Sequence, residues 1–128
     1  MSRYIPTLQE HAPEPPVIYD LEELSERAGV LEIRLVVEGQ RRLTLSFSEH
    51  LAFRKADEGD SLVTLNAVNS TSTAGRSFYL VEDSDYVRWF VEQNYGVRHA
   101  ESLTHILIAT VDDIIDVLTL QWPSVVTP

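Results

Sequence analysis

The sequence predicts an α+β fold, a mainly antiparallel sheet of about five to seven strands with one main helix and one short helix packed against it. Two observations carry this expectation. Short runs rich in β-branched residues alternate apolar and polar side chains with period two, as strands with one buried face do. One segment, Asp85 to Tyr95, instead places aromatic residues at helical spacing between capping residues and a glycine.

The chain has 128 residues, of which 44% are hydrophobic, the size and composition of a single domain with its own core. Residues 1–16 contain Pro6, Pro13, Pro15 and Pro16, a density that blocks helix and ladder bonding and predicts an extended arm or edge segment. Residues 17–128 form the predicted domain. Val17 to Tyr19 suit a short strand. Asp20 then stands as a cap, Glu23 at capping-box spacing and Gly29 as a left-handed stop, so a short helix is expected from Leu21 to Ala28.

Leu31, Ile33, Leu35 and Val37 alternate along the next segment, as do Leu43, Leu45 and Phe47, and a turn at Glu38, Gly39 and Gln40 makes the two an antiparallel hairpin. Leu51 and Phe53 predict a further strand, DEGD a turn, and Leu62, Val63 and Leu65 the return strand of a second hairpin. Asn69 to Arg76 reads as a polar loop and Ser77 to Val81 as a strand. In the main helix, Asp83 or Ser84 caps the start, and Gly96 terminates it. Trp89 and Phe90 are expected in the core, whereas Tyr86 and Tyr95 are expected to reach the surface through their hydroxyls. Thr104 to Thr110 and Ile114 to Leu120 complete the chain. The second run also fits a helical face, but its β-branched content and the short separation favour a hairpin.

Charge is the strongest global bias. Ten Lys and Arg oppose twenty Asp and Glu, a formal net charge of −10. Nucleic acid is thereby disfavoured as a partner, because binding it relies on basic side chains displacing condensed counterions. A basic protein would instead be attracted. The absence of cysteine removes disulfides and thiolate chemistry, and the sequence offers neither a signal-type apolar run nor a membrane-length one, so a cytoplasmic protein is expected.

Catalytic signatures are missing. The five glycines, at 29, 39, 59, 75 and 96, form no phosphate-binding loop or dinucleotide fingerprint, and no G-x-S-x-G motif occurs. No cofactor and no metal are expected. His11, His50, His99 and His105 form no close helical pair, although His105 with Asp112, Asp113 or Asp116 sketches a mixed site for a metal-dependent hydrolase. DEGD lacks the length and ligand order of an EF-hand loop. The acidic groups are the better candidates for a partner-binding surface: Asp57, Glu58 and Asp60 in the turn, and Glu82, Asp83 and Asp85 at the helix start, with Tyr86 as an aromatic anchor.

The strings EHLAFRKADEGDSL, FYLVEDSDYVRWF and HILIATVDDIIDVL, in that order, resemble small acidic bacterial immunity-like proteins associated with polymorphic toxin systems. The resemblance runs from about Leu43 to Val125 and rests on motif order. It implies a non-enzymatic protein, a monomer or small homo-oligomer, that occupies a cognate toxin; the acidic balance suits a basic, nuclease-like one. A structural or assembly subunit using sheet edges or the proline-rich arm is the remaining expectation.

Overall fold

The structure, a computed structural model, describes residues 2–11, 18–37, 41–69 and 77–127. Two antiparallel sheets stack face to face, and two helices cover the outer face of one of them. In chain order the strands are β1 (Arg3–Pro6), β2 (Asp20–Arg27), β3 (Val30–Val37), β4 (Arg41–Phe47), β5 (His50–Asp57), β6 (Phe78–Glu82), β7 (Thr104–Ala109), β8 (Asp113–Thr119) and β9 (Ser124–Val126). Helix α1 (Leu62–Asn69) follows β5, and α2 (Asp85–Gln93) lies between β6 and β7. The five-stranded sheet has the order β1-β6-β7-β8-β5 and the four-stranded sheet β2-β3-β4-β9.

The α+β class predicted from alternation is the observed one. Alternation also explains the layering. Leu31, Ile33 and Leu35 on β3 and Leu43, Leu45 and Phe47 on β4 point inward and meet Phe78, Ile106, Ile108, Ile115 and Val117 of the larger sheet. The opposite face of the four-stranded sheet carries ion pairs such as Arg34–Glu23 and Arg42–Glu22. β7 and β8 differ, because nearly every position is buried. Continuous apolar runs mark strands covered on both faces. Their second face, with Tyr79 and Val81 of β6, packs Leu107, Ala109 and Ile114 against Leu65 and Val68 of α1, and Leu118 against Tyr86 and Val87 of α2.

Three expectations are corrected. The helix expected from Leu21 to Ala28 is instead strand β2, Asp20–Arg27, with Ala28 in the turn that follows. Leu21 and Leu24 both pack against the core, and a register shift between Leu21 and Glu23 inserts the extra residue that gives them a helical spacing of three. Gly29 is therefore no helix stop. Arg27 pairs with Val30, and Ala28 and Gly29, with φ of 53° and 81°, form the two-residue turn with both residues left-handed that matches the twist of a hairpin.

Leu62, Val63 and Leu65 belong to α1, not to a returning strand, and β5 pairs with β8 instead. Leu65 and Val68, three residues apart, supply the buried side of that helix. Tyr19 precedes β2 without strand pairing, and Val17 lies outside the described residues. So do the turn residues Glu38, Gly39 and Gln40 and most of the 69–76 loop. The hairpins β3–β4 and β7–β8 pair as expected, which settles residues 114–119 as strand.

Within the arm, Arg3–Pro6 pairs with β6 as the edge of the larger sheet. Ala28 is a non-glycine residue in a left-handed conformation that L-amino acids adopt at a cost. Replacing it with asparagine, the preferred first residue of this turn, is expected to stabilise the protein by about 0.5–1 kcal/mol, measured as a higher urea midpoint at unchanged slope.

Candidate functional site

The segment joining β6 to α2 is short and turned sharply. Asp83 takes a left-handed φ of 52°, and Ser84 caps the helix, its Oγ accepting the Val87 N–H at 3.0 Å. Helix-facing residues of the larger sheet lie beneath. Strand parity puts His105, Leu107 and Ala109 of β7 and Ile114, Asp116 and Leu118 of β8 on that face. Arg54 of β5 is registered opposite Asp116.

These residues form one hydrogen-bonded chain. Ser84 Oγ lies 2.6 Å from His105 Nδ1, and His105 Nε2 lies 2.6 Å from Asp116 Oδ1. The other carboxylate oxygen, Oδ2, accepts from Arg54 Nε at 3.0 Å. A carboxylate only accepts, so the N–H at His105 Nε2 donates to Asp116, while Nδ1 faces the Ser84 hydroxyl. Ser84, His105 and Asp116 are all buried, and each partner in the chain satisfies the next.

Aromatic rings continue the chain outward. The Arg54 guanidinium sits 4.0 Å from the centroid of the Tyr86 ring. Tyr86 packs edge-on to His105 at 5.5 Å and carries Trp89 stacked on it at 5.8 Å. Tyr86 is only 5% exposed, whereas Trp89 is 53% exposed. Both expectations for this pair are thus reversed: Tyr86 is no surface anchor. The inner face of α2 is Tyr86, Val87, Phe90 and Val91, and a stripe set by these four turns Trp89 outward.

The acidic candidates separate into two groups. At the helix start, Glu82 pairs with Arg3 at 3.5 Å, Asp83 with Arg88 at 2.7 Å, and Asp85 also with Arg88. The hydrogen bond from Arg88 holds the Asp85 carboxyl below its usual pKa. In the turn, Asp57 Oδ1 accepts the Gly59 N–H at 2.8 Å, and Glu58 and Asp60 are exposed. The Glu58 N–H donates to the Asp112 carbonyl at 2.8 Å, which brings this turn against the β7–β8 turn. The cations of the preceding strand β5 are engaged elsewhere, Lys55 with Asp113 at 3.2 Å and Arg54 with Asp116.

The sketched metal site does not assemble. His105 meets Asp116, but Asp113 lies three residues away on β8, on the opposite face by strand parity, and pairs with Lys55. Among the described residues no group of three or more His, Asp or Glu is placed to hold a metal ion. Nor is any helix among them long and apolar enough to cross a membrane.

Sequence reasoning treated Ser84 as a cap and left out Arg54. The available signal was parity: in a β7–β8 hairpin, His105 and Asp116 fall on the same face. Ser84 and His105 also line a cavity of about 540 Å³ together with Arg3, Arg88, Leu103 and Thr104. Comparison with protein-family models, with curated proteins and with solved structures found no match.

Removing one member of a buried, fully bonded network strands the others. His105→Ala is expected to destabilise by about 3 kcal/mol, and Ser84→Ala by about 1 kcal/mol as a lost cap, both by denaturant titration.

Burial raises the Tyr86 phenol above its ordinary pKa of 10.0, with the Arg54 charge opposing the shift and Asp116 adding to it. Because the folded pKa is the higher one, this contribution is fully present below pH 10 and is lost as pH rises through the folded value. Tyr86→Phe is expected to flatten that alkaline loss in a Tm-against-pH series.

Proposed function

We propose that this protein works by binding, as an immunity protein that occupies a basic, nuclease-like bacterial toxin in the cytoplasm. The observation that supports this most is one cluster of carboxylates that no cation neutralises among the described residues. The carboxylates at the start of α2 are paired with Arg3 and Arg88. Among the described residues, no cation pairs with Asp57, Glu58, Asp60 or Asp112, and the contact between their two turns gathers them at one corner of the molecule. Exposed Leu62, Val63 and Val111 stand beside them. An acidic corner with apolar knobs fits a groove built for phosphate, carboxylates taking the places of phosphates against Arg and Lys.

The Ser84, His105 and Asp116 order favours a second reading, acyl transfer with Ser84 as nucleophile and His105 as base. Ser84 Oγ already accepts the Val87 N–H, so the binding reading accounts for the same atoms as an anchor for α2. Labelling of Ser84 by a fluorophosphonate probe, abolished in Ser84→Ala, would establish the second reading; on the binding reading no label is incorporated.

The binding reading is tested by coexpression with the product of a neighbouring toxin gene. Rescue of growth and copurification are expected, and failure of both sinks the idea. Combined Glu58→Gln, Asp60→Asn and Asp112→Asn substitutions are expected to slow association about tenfold at low salt and to flatten its salt dependence, read by stopped-flow mixing.

A further inference from the structure

The outer face of α2 carries features that neither packing nor capping uses. Trp89 is half exposed in mid-helix, and Tyr95, at the helix exit, is 97% exposed. Glu92 lies one turn after Trp89, exposed and with no ion pair among the described residues. The last turn of α2 contains no basic residue, although the negative end of a helix dipole favours one there. Arg98, the next cation along the chain, lies beyond the Gly96 stop. A ring, a carboxylate and the negative helix end thus share one surface with no cation of α2's own last turn.

The ring is also held in place. Trp89 stacks on Tyr86, Tyr86 packs against His105, and His105 is fixed between Ser84 and Asp116. An aromatic side chain presented rigidly forfeits little entropy on binding, which is what distinguishes a hot spot from an exposed apolar residue. Beneath it, Arg54 shows the matching chemistry within the chain: a guanidinium lies on the Tyr86 ring while Asp116 accepts its N–H.

We propose that the α2 face formed by Trp89 and Glu92 is a docking surface for an arginine-bearing segment of a basic partner protein, the guanidinium stacking on Trp89 and donating to Glu92. Arginine fits better than lysine because a planar guanidinium both stacks and donates sideways, as Arg54 does. Tyr86 is a positioning residue for this surface. The inference rests on the binding reading and names a surface separate from the acidic corner.

The experiment uses the full chain with Trp122→Phe, which leaves Trp89 as the single tryptophan of the two in the sequence. Hexa-arginine peptide is titrated while Trp89 fluorescence is followed, with calorimetry for variants lacking the ring. Saturable quenching is expected, with affinity falling about tenfold for Trp89→Ala, about threefold for Glu92→Gln, and hexa-lysine binding several-fold more weakly. Glu58→Gln removes the same charge from the acidic corner and is expected to change affinity less than Glu92→Gln does.

Tyr86→Leu is expected to lower both the anisotropy of Trp89 and the affinity; a purely structural role would move the melting temperature alone. Unchanged affinity in Trp89→Ala, equal losses in Glu92→Gln and Glu58→Gln, or equal binding of the two peptides overturns the proposal. A toxin that binds with Trp89→Ala as tightly as with the native chain defeats this surface and leaves the binding reading standing. Hexa-arginine seated on Trp89 without any toxin association does the reverse.

Discussion

Everything on the helical side of this protein depends on covering β7 and β8 from both faces. A strand pair with no solvated face tolerates polar side chains only if they are bonded inside the protein; Thr119, whose hydroxyl donates to the Gln121 carbonyl, is one such residue, and His105 and Asp116 are the other two. One bond leaves the sheet, His105 meeting the hydroxyl of Ser84, and the other runs along it, Asp116 accepting from Arg54 on β5. Ser84 is at once the cap of α2 and the end of the network. The same atoms that satisfy a buried charge therefore fix where the helix begins, and with it the side on which Trp89 emerges.

Charge is arranged by a different logic. The exposed pairs Arg34–Glu23 and Arg42–Glu22 each contribute at most about 1 kcal/mol, too little to hold two sheets together. Cohesion comes from the apolar layer between the sheets. What the pairs accomplish is local neutralisation, so that the net negative charge is felt where pairing stops. The acidic corner at Glu58 and Asp112 is one such place and the end of α2 another.

The central strands were legible from pattern. β3 and β4 alternate cleanly, and the β-branched content of 104–110 and 114–120 and their short separation favour a hairpin over the helical face that the second run also fits. The start of α2 was legible too, since a capping serine and a following aspartate leave little choice. β2 was misread because a bulge imitates helical spacing between Leu21 and Leu24, and α1 because Leu62, Val63 and Leu65 look like a strand when separated from the sheet they cover. The exchange of Tyr86 and Trp89 has the same root: 86, 89, 90 and 86, 87, 90 are equally good stripes until the position of the helix over His105 selects one. Ser84, His105, Asp116 and Arg54 come from four elements, and their meeting is a property of sheet order, which local pattern does not encode.

The strand pairings also impose an order on synthesis. Sheet β2-β3-β4 is built from neighbours joined by short connections, so most of it can form as soon as residues 20–47 have emerged from the ribosome. The larger sheet has no such route. Arg3 waits for Glu82, and His50 waits for Thr119, so both of its edges are closed by chain that is made long after them. Until β7 and β8 arrive, the inner face of β3 and β4 is an apolar surface with nothing to lie on, the kind of exposure that makes an incomplete chain prone to aggregate.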